Sequence, residues 1–135
     1  MKCDMRLGKL AEMQFSIDAS KRGLNVSVPN SDYSGYDLIV EGRSRRLYKI
    51  QVKATRTKSY QSDRHESYKV TIARGSKNKK RYEKNEVDFF AIYIYEINNW
   101  YIIPFDACSS VSVRLYPDKP DHKLSQYLES WHQLA

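Results

Sequence analysis

Four side chains in this sequence have the types that hydrolysis of a phosphate ester requires. Glu12 and Asp37 are carboxylates, Gln51 is an amide and Lys53 an ammonium. Gln51 and Lys53 sit two apart in Lys49-Ile50-Gln51-Val52-Lys53-Ala54-Thr55, where polar and apolar residues alternate. That period predicts a strand with Ile50, Val52 and Ala54 on one face, so the amide and the ammonium share the other. Asp37 opens the preceding apolar run Leu38-Ile39-Val40, and Gly42-Arg43-Ser44-Arg45 between the two runs has the composition and length of a hairpin connection. Antiparallel pairing then sets Asp37 beside Gln51. Glu12 lies on the flank of a helical stripe, and a helix packed across the sheet can aim it at the same place.

Hard cations such as Mg²⁺ take oxygen ligands from one or two carboxylates together with substrate phosphate and water, and Asp37, Glu12 and the Gln51 carbonyl oxygen supply such a donor set. Lys53 would stand beside the reacting phosphate. There it would share the neutralisation of charge that grows during in-line attack. The same residues also have a plain structural reading: a turn aspartate, two solvated residues on an exposed sheet face and a surface helix glutamate. Spacing alone leaves both readings open.

The elements that must position these groups follow from periodicity. Leu7, Leu10, Ala11, Phe15 and Ala19 fall at helical spacing, with Lys21-Arg22 and then Gly23 closing the pattern, which predicts a helix over residues 7–22. Alternation ending at Pro29-Asn30 predicts a short strand over 24–28, and the turn formers of 30–35 a loop. Further strands are expected over 36–41, 46–55, 67–73, 87–97, 100–105 and 111–116, with Asn98-Asn99 as a second hairpin turn. Leu124, Tyr127, Leu128, Trp131 and Leu134 restore helical spacing behind Asp121, so a closing helix is expected. The expected fold class is α+β in one domain over residues 1–135: a central sheet built largely from hairpins, flanked by an N-terminal and a C-terminal helix.

Composition narrows the partner. The 135 residues carry 23 Lys and Arg against 16 Asp and Glu, a formal charge of +7 that favours a polyanion, with nucleic acid first. Lys58 in the polar stretch 56–66, and Arg74, Lys77, Lys79, Lys80 and Arg81 in the densest basic run, are the candidate DNA contacts. Tyr33 and Tyr60, beside the site and the polar stretch, could contact DNA backbone. No run of eighteen apolar residues and no secretory pattern is present, so an intracellular protein without membrane association is expected. Cys3 and Cys108 belong to no ligand pattern and read as reduced thiols. His65, His122 and His132 are scattered and receive no catalytic role.

The order Gly8…Glu12, Tyr36-Asp37-Leu38-Ile39-Val40 and Ile50-Gln51-Val52-Lys53 resembles the PD-(D/E)XK nuclease superfamily, in its group I intron-encoded homing endonuclease branch. Val87-Asp88-Phe89-Phe90-Ala91-Ile92-Tyr93 and Trp100-Tyr101-Ile102-Ile103-Pro104 extend the likeness over nearly the whole chain. The resemblance implies a restriction-endonuclease-like core with a mixed sheet. It also implies Mg²⁺-dependent cleavage of double-stranded DNA, with Mn²⁺ substituting, at a long, partly symmetric target by a homo-oligomer, a dimer or tetramer. Carried over by position, the helix glutamate is Glu12, the metal aspartate Asp37, the variable acid position Gln51 and the lysine Lys53. An amide stands where the superfamily usually has a carboxylate. Two other functions fit the same pattern: a nuclease resembling Holliday junction resolvases, and a DNA-binding module without activity.

Overall fold

The structure is a computed structural model that describes residues 3–30, 35–56, 58–60, 66–73 and 80–135. The first helix, α1, runs over Cys3–Lys21, one turn longer at its start than its apolar spacing predicts. Ala11, Phe15 and Ala19 are fully buried at every fourth position, a stripe narrow enough to lie flat on a sheet. The helix ends as its sequence dictates. Gly23 adopts φ 79°, its N–H reaches the Ser20 carbonyl at 3.0 Å, and the Leu24 N–H reaches the Ala19 carbonyl at 3.1 Å. This closes the helix with a left-handed residue that glycine adopts without steric cost, and it buries Leu24 against the core.

Five strands form the main sheet: β1 (Asn25–Ser27), β2 (Leu38–Glu41), β3 (Leu47–Thr55), β6 (Phe89–Ile94) and β7 (Asn99–Pro104), in the order β1-β2-β3-β6-β7. The β2–β3 and β6–β7 hairpins are as expected. Arg45 closes the first in a left-handed conformation (φ 67°) and Asn98 the second (φ 52°). The sequence does not reveal that β3 and β6 run parallel, pairing Ile50 with Phe89 through Thr55 with Ile94. A second sheet joins β4 (Ser59–Tyr60) and β5 (Glu66–Thr71), which lie between them in the chain, to β8 (Ser112–Leu115), which follows β7, in the order β4-β5-β8.

The main sheet is therefore covered on both faces. Alternation sends Phe89, Ala91, Tyr93, Trp100 and Ile102 towards α1, and Phe90, Ile92, Ile94, Tyr101 and Ile103 towards β5 and β8. All six residues of β6 are buried, which is why this stretch reads as one continuous apolar run.

The expected closing helix is replaced by two 3₁₀ turns, Ser125–Tyr127 and Trp131–Leu134. Between them Leu128 bridges to Tyr101, and Glu129, at φ 53°, donates its N–H to the Trp100 carbonyl at 2.7 Å. The Glu129 carboxylate accepts from the Trp100 N–H and, at 2.9 Å, from the Trp131 indole. The open edge of β7 offers backbone partners that a regular helix would forgo, and the segment covers that edge. Helical spacing of Leu124, Trp131 and Leu134 reflects burial in the core rather than a helix. The C-terminus then packs on the β2–β3 turn, where a Cβ on Gly42 would sit 2.0 Å from the Leu134 carbonyl oxygen.

Candidate active site

β2 ends at Leu38, opposite Ile50, whereas β3 continues to Thr55. Among the described residues no strand pairs with the β2-facing edge of β3 from Val52 onwards, and its backbone groups take other partners. Asp37 supplies the first. Its own N–H bonds to the Ile50 carbonyl at 2.8 Å, prolonging the ladder by one rung, and its carboxylate Oδ2 accepts from the Val52 N–H at 2.9 Å. The same Oδ2 accepts from the Gln51 amide Nε2 at 2.9 Å. The expected meeting of Asp37 and Gln51 is therefore a direct hydrogen bond. Lys53 is on the same face of β3, with its ammonium 5.7 Å from the centre of the Tyr82 ring.

Burial pushes the Asp37 carboxyl above its usual range, against the lowering effects of the Val52 N–H, then Lys53, then Lys9. A carboxylate whose desolvation outweighs its present partners gains from a cation brought next to it. Among the described residues no three His, Cys, Asp or Glu side chains cluster as a metal site. A Mg²⁺ ion does not require three, since it retains waters and takes substrate oxygens. With its amide turned over, Gln51 presents Oε1 instead of Nε2, so Asp37 and Gln51 fit a hard cation. Glu12 stands on α1, which packs on the opposite face of the sheet with Ile50 and Val52. Lys9, one turn earlier, lies 3.7 Å from Glu12 and its charge is felt at Asp37. Lys9 thus acts on Asp37 from α1, and Glu12 lies within one turn of it on that helix.

Of the expected DNA contacts, Arg74, Lys77 and Lys79 lie outside the described residues, as do Tyr33 and His65. Lys80 is exposed. The Arg81 guanidinium donates to the Cys108 carbonyl at 2.7 Å and lies over Phe105. Lys58 is held between Glu66 at 2.8 Å and Glu96 at 2.9 Å, and those carboxylates raise its pKa. The Tyr60 backbone belongs to β4. Two groups were missed by sequence reasoning. Lys9 carried a signal, since it lies three residues before Glu12 on one helix face. Tyr82 carried none beyond its place at the end of the basic run, yet its ring ties that run to Lys53.

A family model described as PD-(D/E)XK endonuclease matches residues 4–134. Among solved structures the chain is similar to a bacterial homing endonuclease, with 25% identity and a TM-score of 0.78 over 98% of this chain and 93% of that one. It also shares the fold of a Holliday junction resolvase from the archaeal hyperthermophile Archaeoglobus fulgidus, with 12% identity and a TM-score of 0.51 over 95% and 88% of the two chains. No curated protein matches it.

Proposed function

Because the chain belongs to the PD-(D/E)XK endonuclease family, we propose that it cuts double-stranded DNA at specific sites with Mg²⁺, in the manner of a homing endonuclease, through Glu12, Asp37, Gln51 and Lys53. The observation that carries this reading is the Asp37 carboxylate, half-buried at the edge of β3 beyond the end of β2, bonded to Gln51 and followed on the same face by Lys53. Asp37 and Gln51, with Glu12 from α1, would hold the ion. When bound, a divalent ion supplies an activated water and shares the charge that develops on the phosphate. The chain's own groups do the rest. Lys53 offers a positive charge to the attacked phosphate, the Val52 N–H fixes the orientation of Asp37, and Lys9 keeps the surroundings of two carboxylates from becoming strongly negative.

Duplex DNA as substrate is supported by the net charge of +7 and by the basic run that leads into Tyr82 beside Lys53. In this reading Lys80 and Arg81, with Arg74, Lys77 and Lys79, track the phosphate backbone, and Lys58 contributes by exchanging a carboxylate for a phosphate. A homo-oligomer is supported by Leu10, Met13 and Ile17, exposed to 45%, 56% and 51% along one side of α1. Among the described residues no helix is long and apolar enough to cross a membrane. Supercoiled plasmid incubated with Mg²⁺, with Mn²⁺ and with chelator tests the proposal. Cutting only with the divalent ions, lost in Asp37→Asn, is expected; cutting in chelator or by Asp37→Asn would overturn it.

One observation favours a second reading, a DNA-binding module without activity. The amide nitrogen of Gln51 already satisfies Asp37 without any ion. Calorimetry separates the two readings: no Mg²⁺ binding together with tight DNA binding in chelator would select the module.

A further inference from the structure

The turn between β2 and β3 carries three arginines, Arg43, Arg45 and Arg46, all of them exposed. Its backbone is closed on itself: the Arg45 N–H donates to the Gly42 carbonyl at 3.1 Å, and the Arg46 N–H to the Ser44 hydroxyl at 3.4 Å. Gly42 lies against the backbone of Leu134 and Ala135, too close for any side chain, so the turn rests on a fixed support. Among the described residues none of the three arginines forms an ion pair. The Arg46 guanidinium lies over the Tyr48 ring, and Glu41, two residues before Arg43, accepts from the Asn25 amide at 3.5 Å. Arg45 itself stands at φ 67°, a left-handed conformation that glycine or asparagine adopts at lower steric cost. Turn chemistry prefers a smaller residue there. A strained backbone position that nevertheless keeps a guanidinium points to a use for that guanidinium.

We propose that the β2–β3 turn is a phosphate-binding arm, in which Arg43, Arg45 and Arg46 hold the backbone of the DNA duplex at a distance from the cut. This rests on the nuclease reading for the identity of the polyanion and adds a second contact surface, remote from Asp37, Gln51 and Lys53. Asp37 opens β2 and Gly42 follows its other end. The span between them is roughly 17 Å at the rise of an extended chain, which corresponds to about five base pairs of duplex. The arm therefore meets flanking phosphates rather than the one under attack. Arginine suits that task better than lysine, because its planar fork donates two parallel N–H bonds to one phosphate. A closed turn on a fixed support also has little backbone freedom to lose on binding. The whole segment 42–46 contains no carboxylate, so nothing within it competes with an incoming anion.

The test compares the unaltered protein with Arg45→Asn, with the triple variant Arg43→Gln, Arg45→Gln, Arg46→Gln, and with Lys21→Gln, which removes an exposed charge at the end of α1. Affinity for a duplex of about 30 base pairs is measured in chelator over a range of salt, plasmid cleavage in Mg²⁺, and melting temperature without DNA. Arg45→Asn should reduce the log–log salt slope by about 0.9, the loss of one phosphate contact, without melting lower, because asparagine accepts the left-handed conformation. The triple variant should reduce the slope by up to about three times as much and bind at least roughly tenfold more weakly. Lys21→Gln should keep the slope. An unchanged slope in the triple variant, or an equal fall in Lys21→Gln, would overturn the arm. If the triple variant melts well below the unaltered protein, the Arg45→Asn slope decides. A protein that binds duplex, loses slope in the arginine variants and cuts nothing keeps the arm and refutes the nuclease reading. Cutting with every slope unchanged does the reverse, and a protein that neither binds nor cuts refutes both.

Discussion

Two aspartates cap the two ends of β3, and only one of them has the neighbours that chemistry needs. At the far end Asp37 accepts the Val52 N–H on the β2 side; at the near end Asp88 accepts the Lys49 N–H at 2.8 Å on the β6 side. In both places a neighbouring strand is absent among the described residues, and a carboxylate takes the position its carbonyl would have occupied. Asp88 closes a purely structural loop, returning its own N–H to the Lys49 carbonyl at 2.9 Å while its carbonyl accepts from the Phe105 N–H at 2.9 Å. Asp37 instead shares its carboxylate with the Gln51 amide and feels Lys53 and Lys9 in a half-buried setting. A carboxylate on a strand edge is a common structural device. Adjacent polar side chains on the same face, with room for a ligand, turn it into a site.

Substitutions at the two ends should separate activity from stability. The largest expected effect is on cleavage: Lys53→Ala should lower the plasmid cutting rate by about 10²–10³-fold, the loss of one charge-stabilising group, with the fold intact by circular dichroism. Comparable loss of cutting in Asp88→Ala would break the contrast. That variant should instead lower unfolding free energy by about 1–3 kcal/mol in urea, because the half-buried Lys49 N–H loses its acceptor, and should cut at nearly the original rate below its midpoint. A smaller effect is expected of Gln51→Glu. It places a second negative charge where the amide now donates to Asp37, so the metal-free protein should melt a few degrees lower, on the order of 1 kcal/mol, and regain the loss in Mg²⁺. No response to Mg²⁺ in that melt would argue against an ion at this position.

The smallest effect is a pH dependence in chelator. Burial raises the folded pKa of Asp37 above 3.8, its unfolded reference, so between the two values the folded protein holds a proton that the unfolded chain has released. Stability therefore increases as pH falls through the raised pKa, and the gain is complete only below 3.8. Urea midpoints across acid pH should show this increment in the unaltered protein and in Asp88→Ala, but not in Asp37→Asn. A flat difference between the unaltered protein and Asp37→Asn would remove burial as the dominant influence on Asp37.

Much of this was legible without a structure, and the reason differs by element. The alternation around Ile50 placed Gln51 and Lys53 on one face, and the Gly42–Arg45 connection set the β2–β3 register, because period and turn chemistry act over a few residues. Val87-Asp88-Phe89 looked like the opening of a strand, but nothing in it announced that Phe89 would lie parallel to Ile50, since parallel pairing is a long-range contact. The closing helix failed for a related reason. Helical spacing records which side chains are buried, and the backbone of Leu128 and Glu129 was claimed by the vacant edge of β7. Nor could spacing separate Lys58, held by two carboxylates, from Lys80, which is exposed.

The sequence by itself determined the family, the central strand, the faces of that strand and the four residues proposed for the chemistry. These are properties of local periodicity and of residue order. Tertiary structure alone decided that β2 stops opposite Ile50, that the Asp37 carboxylate fills the gap, that α1 crosses the opposite face with the charge of Lys9 reaching Asp37, and that Gly8 borders a cavity beside β3. An edge is vacant only in relation to the length of its neighbour, and that relation exists only once distant segments of the chain have met.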